Sequence, residues 1–127
     1  RPERFQVVVT SNWFGDSITD LGAAIAGGIG LAAGANINPE RKYPSMFEPI
    51  HGSAPRHTGK GTANPMAAIW SASLMLDFLG HEQWGAKVIQ ALENVIVEKE
   101  VLTQDMGGSS STNQVGDRIA FMLSQLT

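Results

Sequence analysis

SMFEPIHGSAPRHTGKGTANPMAAIWSASLMLDFLG, residues 45–80, reads as a strand, a glycine-rich loop and a helix in succession. Residues 45–50 form a short strand candidate. Asn64 followed by Pro65 is a helix start, because Asn caps free backbone amides and proline tolerates the first helical position. Met66, Ile69, Trp70, Ser73, Leu74 and Phe78 then keep helical spacing until Gly80 ends the run. Between strand and helix, glycine-freed amides sit beside Arg56, His57 and Lys60 and ahead of a helix N-terminus, a composition suited to a phosphate-bearing ligand.

Outward from this stretch the chain is mostly helical. Residues 5–9, FQVVV, form a β-branched run of the kind that makes a buried parallel strand. A helix follows from about residue 14 to residue 25, and Gly27, Gly28 and Gly30 break it. GLAAGANINPERKYP, residues 30–44, reads as irregular surface chain with turn chemistry at Asn38 and Pro39. Toward the C-terminus a helix over residues 82–97 carries Trp84, Val88, Leu92 and Val95 on one core-like face. After GGSSS, Thr112 or a neighbouring serine caps a last helix with Val115, Ile119, Met122 and Leu126 as its apolar face. Few strands among long helices make an α/β class, as one portion of a larger sheet protein. There is no internal repeat.

The chain has 127 residues, 43% of them hydrophobic, enough for a core. Its formal net charge of −3 argues against a broad nucleic-acid surface, which needs a basic stripe. With no cysteine there is no disulfide framework or thiolate metal site, and a reducing cytoplasm is the default expectation. No apolar run approaches the roughly 20 residues that span a bilayer. Arg1 stands where a methionine would start a chain and a strand-like run follows almost at once, so the sequence is expected to be a fragment.

Two places hold residues that can carry chemistry. Asp16 and Asp20, in NWFGDSITD (residues 12–20), share one helix face a turn apart. Like charges at this spacing repel, and a hard cation such as Mg²⁺ or Mn²⁺ would compensate them. The spacing alone favours a simpler reading, two solvated carboxylates at the positive end of a helix dipole. In the loop, Gly52, Gly59 and Gly61 match neither the P-loop nor the Rossmann fingerprint. Arg56 and His57 suit a phosphate monoester or simply face water. His51 is a candidate for contact with a ligand ring or a structural hydrogen-bonder, and Glu48 for a ribose hydroxyl or a strand end. Trp13, Trp70 and Trp84 read as packing residues, and His81 as a helix-end residue.

Taken together, NWFGDSITD, SMFEPIHGSAP and GKGTANPMAAIWSASLMLDFLG resemble the β-decarboxylating hydroxyacid dehydrogenases, the family of isopropylmalate, isocitrate, homoisocitrate and tartrate/D-malate dehydrogenases. The resemblance covers essentially the whole chain in motif order. ANINPERKYPSMFEP is most similar to the tartrate/D-malate branch. It implies the C-terminal part of an isocitrate/isopropylmalate dehydrogenase-like α/β fold: strand and metal-binding helix in residues 1–30, cofactor-binding loop region in 31–64, and helices of the large domain in 65–127. It further implies oxidation of a 2-hydroxy acid, tartrate or D-malate, with NAD or NADP and Mg²⁺ or Mn²⁺, followed by decarboxylation. Isopropylmalate or isocitrate as substrate, or a non-catalytic nucleotide-binding module, are the alternatives.

By the same resemblance Asp16 and Asp20 match the two metal carboxylates of a GDxxxD motif, which reverses the reading from spacing alone. Asn12 would lie near substrate or nicotinamide. His51 and Asn64 match positions that contact adenine, Gly52, Ser53 and Ala54 line the cofactor loop, and Glu48 lies near the nicotinamide ribose. NAD users of the family usually carry Asp after HGSAP, accepting hydrogen bonds from the adenosine ribose. Here the residue is Arg56, followed by His57, a pair similar to that of NADP-dependent isocitrate dehydrogenases. Arginine attracts a 2′-phosphate where aspartate repels it. That leans toward NADP, while the tartrate-like branch resembles NAD users. Ser17 departs from an apolar family position. The family's catalytic lysine and tyrosine, a third metal aspartate and the substrate-clamping arginines are expected before Arg1, some from the partner of a homodimer. The fragment alone is then expected to be inactive.

Overall fold

The computed structural model describes residues 1–126, so Thr127, the last residue of the expected helical region, lies outside them. Four helices and one small sheet follow in the order α1 (Asn12–Ile25), β1 (Ala33–Asn36), β2 (Met46–Pro49), α2 (Met66–Phe78), α3 (Glu82–Glu98) and α4 (Thr112–Ser124). Short 3₁₀ turns stand at Pro2–Arg4, Pro55–His57 and Gln104–Met106. The protein is of mixed α/β class.

The helices end where their capping chemistry dictates. Pro65 takes the N-cap position expected of Asn64, so α2 begins one residue later, and Asn64 Oδ1 accepts from the Met66 amide across it at 3.0 Å. Gly80, at φ 87°, makes the turn into α3 that other residues resist. At α4, Ser111 rather than Thr112 is the N-cap: its hydroxyl accepts from the Gln114 amide while Gln114 Oε1 accepts from the Ser111 amide, a complete capping box. Thr112 instead ties α4 to the glycine loop, donating its amide to Gly61 O at 2.8 Å and its hydroxyl to Ala63 O.

The core lies among α2, α3 and α4, built from Met66, Ala91, Leu92, Val95, Leu102, Val115 and Ile119. Helix α2 is apolar nearly all round because it is covered on two sides, by α3 and by the β1–β2 hairpin. Its approach to α3 is close: Ser73 Oγ donates to Gly85 O at 3.0 Å, and a side chain at 85 would meet Asp77 and the Ser73 carbonyl. Val88 packs against the core as its spacing predicts, but Trp84 on the same stripe is 43% exposed, with Lys87 Nζ 4.6 Å from its ring centre. Trp13 is 79% exposed and Trp70 sits at the surface edge, so the packing role expected of the tryptophans does not hold within these residues.

Two further expectations are corrected. Residues 5–9 form no strand; Val7 and Val9 stand exposed, and no described segment supplies the ladder that would hold them extended. Their β-propensity has nothing to pair with. Conversely β1, AGAN, lies inside the stretch read as irregular. It carries no β-branched residue and is a strand because β2 pairs with it, antiparallel, with Gly34 opposite Glu48 and Ala35 opposite Phe47. The connection between them is ordered by Asn38, whose Oδ1 accepts from the Lys42 and Tyr43 amides, and by Arg41, which donates to Phe78 O and lies 4.7 Å from the Phe78 ring centre. The hairpin is thereby fastened to the end of α2. Helix α1 also begins earlier than the apolar pattern indicates, with Asn12 in its first turn.

Candidate functional site

Two cavities meet at His51. The first, about 530 Å³, lies between α1 and the hairpin and is lined by Asp16, Thr19 and Asp20 from the helix, Gly34 to Asn36 from β1, and Glu48 through Gly52 after it. The second, about 360 Å³, is lined by His51, Ala54, His57, Asn64, Gln104 and Asp105 with residues packed between them. Residues 35 positions apart in sequence, from Asp16 to His51, thus share one wall-to-wall space.

In the first cavity the aspartates present the polar face of α1. Asn12 Nδ2 donates to Asp16 Oδ2 at 3.3 Å, which orients that carboxylate, and both aspartates are exposed. The carboxylates of Asp16, Asp20 and Glu48 line the cavity together, and such oxygen donors suit a hard divalent cation. Among the described residues no group of three His, Cys, Asp or Glu is placed to hold a metal ion, so the pair fits part of a coordination shell. The apolar residues Phe14, Ile18, Leu21 and Ile25 fall on the opposite face of α1, exposed.

The second cavity is floored by the glycine loop. His51 Nδ1 lies 2.9 Å from Gly52 O; a carbonyl only accepts, so Nδ1 carries the proton and a neutral ring leaves Nε2 as an acceptor. Ala54 adopts φ 43°, a left-handed conformation that is strained for a residue with a side chain, and it leads into the 3₁₀ turn of Pro55–His57. His57 Nδ1 meets Thr62 Oγ1 at 2.8 Å, closing the loop on itself. Arg56 sits exposed on that turn, between two residues that line the cavity but not itself among them; Ser53 lines neither cavity.

Of the residues named from the sequence, Asp16, Asp20, Glu48, His51 and Gly52 come together in the first space, and His51, Ala54, His57 and Asn64 in the second. Two were missed. Gln104 and Asp105 enter the second cavity from the turn between α3 and α4, and Asn64 Nδ2 donates to Asp105 Oδ2 at 2.9 Å. An aspartate before paired glycines, in TQDMGG, is the signal that could have marked that turn.

Residues 1–119 match the family model described as isocitrate/isopropylmalate dehydrogenase. The chain belongs to this family. It is 52% identical over 126 residues to the probable tartrate dehydrogenase/decarboxylase of Bacillus subtilis (strain 168), covering 99% of this chain and 35% of that protein. It is 57% identical over 120 residues to the 3-isopropylmalate dehydrogenase of Thermobifida fusca (strain YX), covering 94% and 33%. The crystal structure of isocitrate dehydrogenase from Methylococcus capsulatus superposes with a TM-score of 0.88 at 38% identity, over 97% of this chain and 36% of that one. The chain therefore spans about a third of the length of the curated relatives it matches. As a member of the isocitrate/isopropylmalate dehydrogenase family it carries the motif-bearing segment from Asn12 to Asn64 on α1, the hairpin after it and the glycine loop that leads to α2.

Proposed function

We propose that this chain is the metal- and dinucleotide-binding portion of an oxidoreductase that oxidises tartrate or D-malate with NAD or NADP and decarboxylates the resulting β-keto acid. One observation carries the reading: the Asp16–Asp20 face and the Glu48–His51 strand end border one cavity, and His51 links it to a second cavity lined by Asn64. In this reading Asp16 and Asp20 hold Mg²⁺ or Mn²⁺ together with oxygens from elsewhere in the full enzyme. A bound divalent cation supplies Lewis acidity that favours an alkoxide during oxidation and an enolate after loss of CO₂. Glu48 stands at the nicotinamide end, and Gly52, Ser53 and Ala54 form the loop over the cofactor. His51 and Asn64 hold the adenine end.

The similarity to an isopropylmalate dehydrogenase supports a second substrate reading, since that relative is 57% identical. Steady-state rates of the full-length protein with D-malate, tartrate, isopropylmalate and isocitrate, each with NAD and NADP, decide between them. Activity with none of the four, in the presence of Mg²⁺ or Mn²⁺, would leave the nucleotide-binding module as the surviving reading. No helix of the described residues is long and apolar enough to cross a membrane. We place the enzyme in the cytoplasm, in keeping with a chain that has no cysteine.

Arg56 is the residue assigned to the choice of cofactor. It sits on the Pro55–His57 turn, between Ala54 and His57 of the second cavity, and suits a 2′-phosphate by charge and by its forked donors. Arg56→Asp is expected to lower kcat/KM with NADP by roughly tenfold to a hundredfold, because repulsion of like charge replaces attraction, and to leave NAD nearly unchanged. Equal losses with both coenzymes would show that Arg56 does not read the 2′-phosphate.

The full-length enzyme is proposed to be a homodimer. Support comes from Phe14, Ile18, Leu21 and Ile25, an exposed apolar stripe at helical spacing on the side of α1 away from the aspartates. Leu21→Asp should shift the sedimentation of full-length protein from dimer toward monomer; an unchanged dimer would place the contact elsewhere.

A further inference from the structure

The second cavity contains a polar pair whose hydrogen bonding is fully determined by its surroundings. Asn64 Oδ1 accepts from the Met66 amide at 3.0 Å, and Asn64 Nδ2 donates to Asp105 Oδ2 at 2.9 Å. An amide turned the other way would set its NH₂ against an N–H and its oxygen against a carboxylate, so only one orientation is allowed. What remains for a ligand is one Nδ2 hydrogen, a donor, beside the second carboxylate oxygen of Asp105, which only accepts. Gly30 backs this pair. A side chain there would approach Asp105 Oδ2 to 2.8 Å and Asn64 Cβ to 3.0 Å, while its carbonyl accepts from the Ala67 amide at the start of α2. The absence of a Cβ at 30 therefore leaves room for Asp105 to reach Asn64.

A donor next to an acceptor matches the N7 edge of a 6-aminopurine, where N7 accepts and the exocyclic amine donates. A 6-oxopurine presents a carbonyl at the same place, which would face the carboxylate of Asp105. We propose that Asp105 is a specificity-determining residue: it fixes the amide of Asn64 and, with it, selects a dinucleotide carrying adenine over one carrying hypoxanthine. This rests on the reading of the second cavity as the adenosine end of the cofactor site. Asp105 acts far from the reacting carbon, so its influence falls on coenzyme binding.

The test uses full-length protein with NAD and nicotinamide hypoxanthine dinucleotide, or their 2′-phosphorylated forms where NADP is preferred. The parent is expected to favour the adenine form by roughly tenfold or more in kcat/KM, the scale of one well-made base contact. Asp105→Asn, whose amide can turn a donor toward a carbonyl, should bring that ratio close to one, through KM more than through kcat. Gly30→Ala, which displaces the pair from behind without changing its chemistry, should move the ratio the same way and serves where Asp105→Asn does not fold. A ratio unchanged in both variants, or a parent without preference, overturns the proposal. A parent that neither binds nor uses any of these dinucleotides refutes the cofactor reading itself, an outcome distinct from a lost preference.

Discussion

Full-length protein carrying Asp16→Asn is expected to lose roughly a hundredfold or more in kcat at fixed Mg²⁺, the several kcal/mol that Lewis-acid assistance supplies to such a reaction. The substitution is nearly isosteric. It keeps an oxygen toward Asn12 Nδ2, 3.3 Å away, and sits on an exposed helix face, so α1 should fold as before. Turnover and metal binding, measured beside the stability change, separate the two readings of the pair. Asp16 and Asp20 repel across one turn, and removing one charge should stabilise the metal-free protein by a few tenths of a kcal/mol. A solvated pair with no role would show only that small gain. A metal pair would show the gain together with the loss of turnover, weaker Mn²⁺ binding by calorimetry, and partial recovery at high Mn²⁺. Undiminished activity in Asp16→Asn would remove the metal assignment.

Why some of this was legible in the sequence, and some not, follows from how each feature is held. Helices α2, α3 and α4 carry their own signals: Asn64 before Pro65, Gly80 between two helices, Val115 and Ile119 behind a serine cap. Those signals act within a few residues, so reading along the chain recovers them. Strand β1 carries none, since Ala-Gly-Ala-Asn becomes a strand only when β2 lies beside it. Residues 5–9 show the converse, a strong local preference without a described partner. The same distinction runs through the site. GDSITD and HGSAP announce themselves as compact motifs, whereas Asp105 joins Asn64 across 41 positions, and only the α3–α4 turn makes them neighbours.

That turn leads to the largest expected effect on stability. A Cβ at Gly108 would overlap Leu102 O and lie 2.5 Å from Leu102 C. Both are backbone atoms, so no side chain can swing aside. The backbone cannot readily yield either: Leu102 O accepts from the Ser110 amide at 2.9 Å, Thr103 O from the Gly108 amide at 3.0 Å, and Leu102 is 7% exposed within the core. Gly108→Ala must open the turn, giving up about two hydrogen bonds and lifting Leu102, at roughly 3 to 5 kcal/mol in all. Gly107 is the control. At φ 83° with nothing near its missing Cβ, alanine there meets only backbone strain, about 1 to 2 kcal/mol. Denaturant unfolding of the two full-length variants should therefore place Gly108→Ala well below Gly107→Ala, and equal midpoints would refute the close approach to Leu102. Because Gln104 and Asp105 ride on the same turn, the surviving folded fraction of Gly108→Ala should also bind the dinucleotide more weakly, whereas Gly107→Ala, which crowds nothing, should bind it nearly as the parent does.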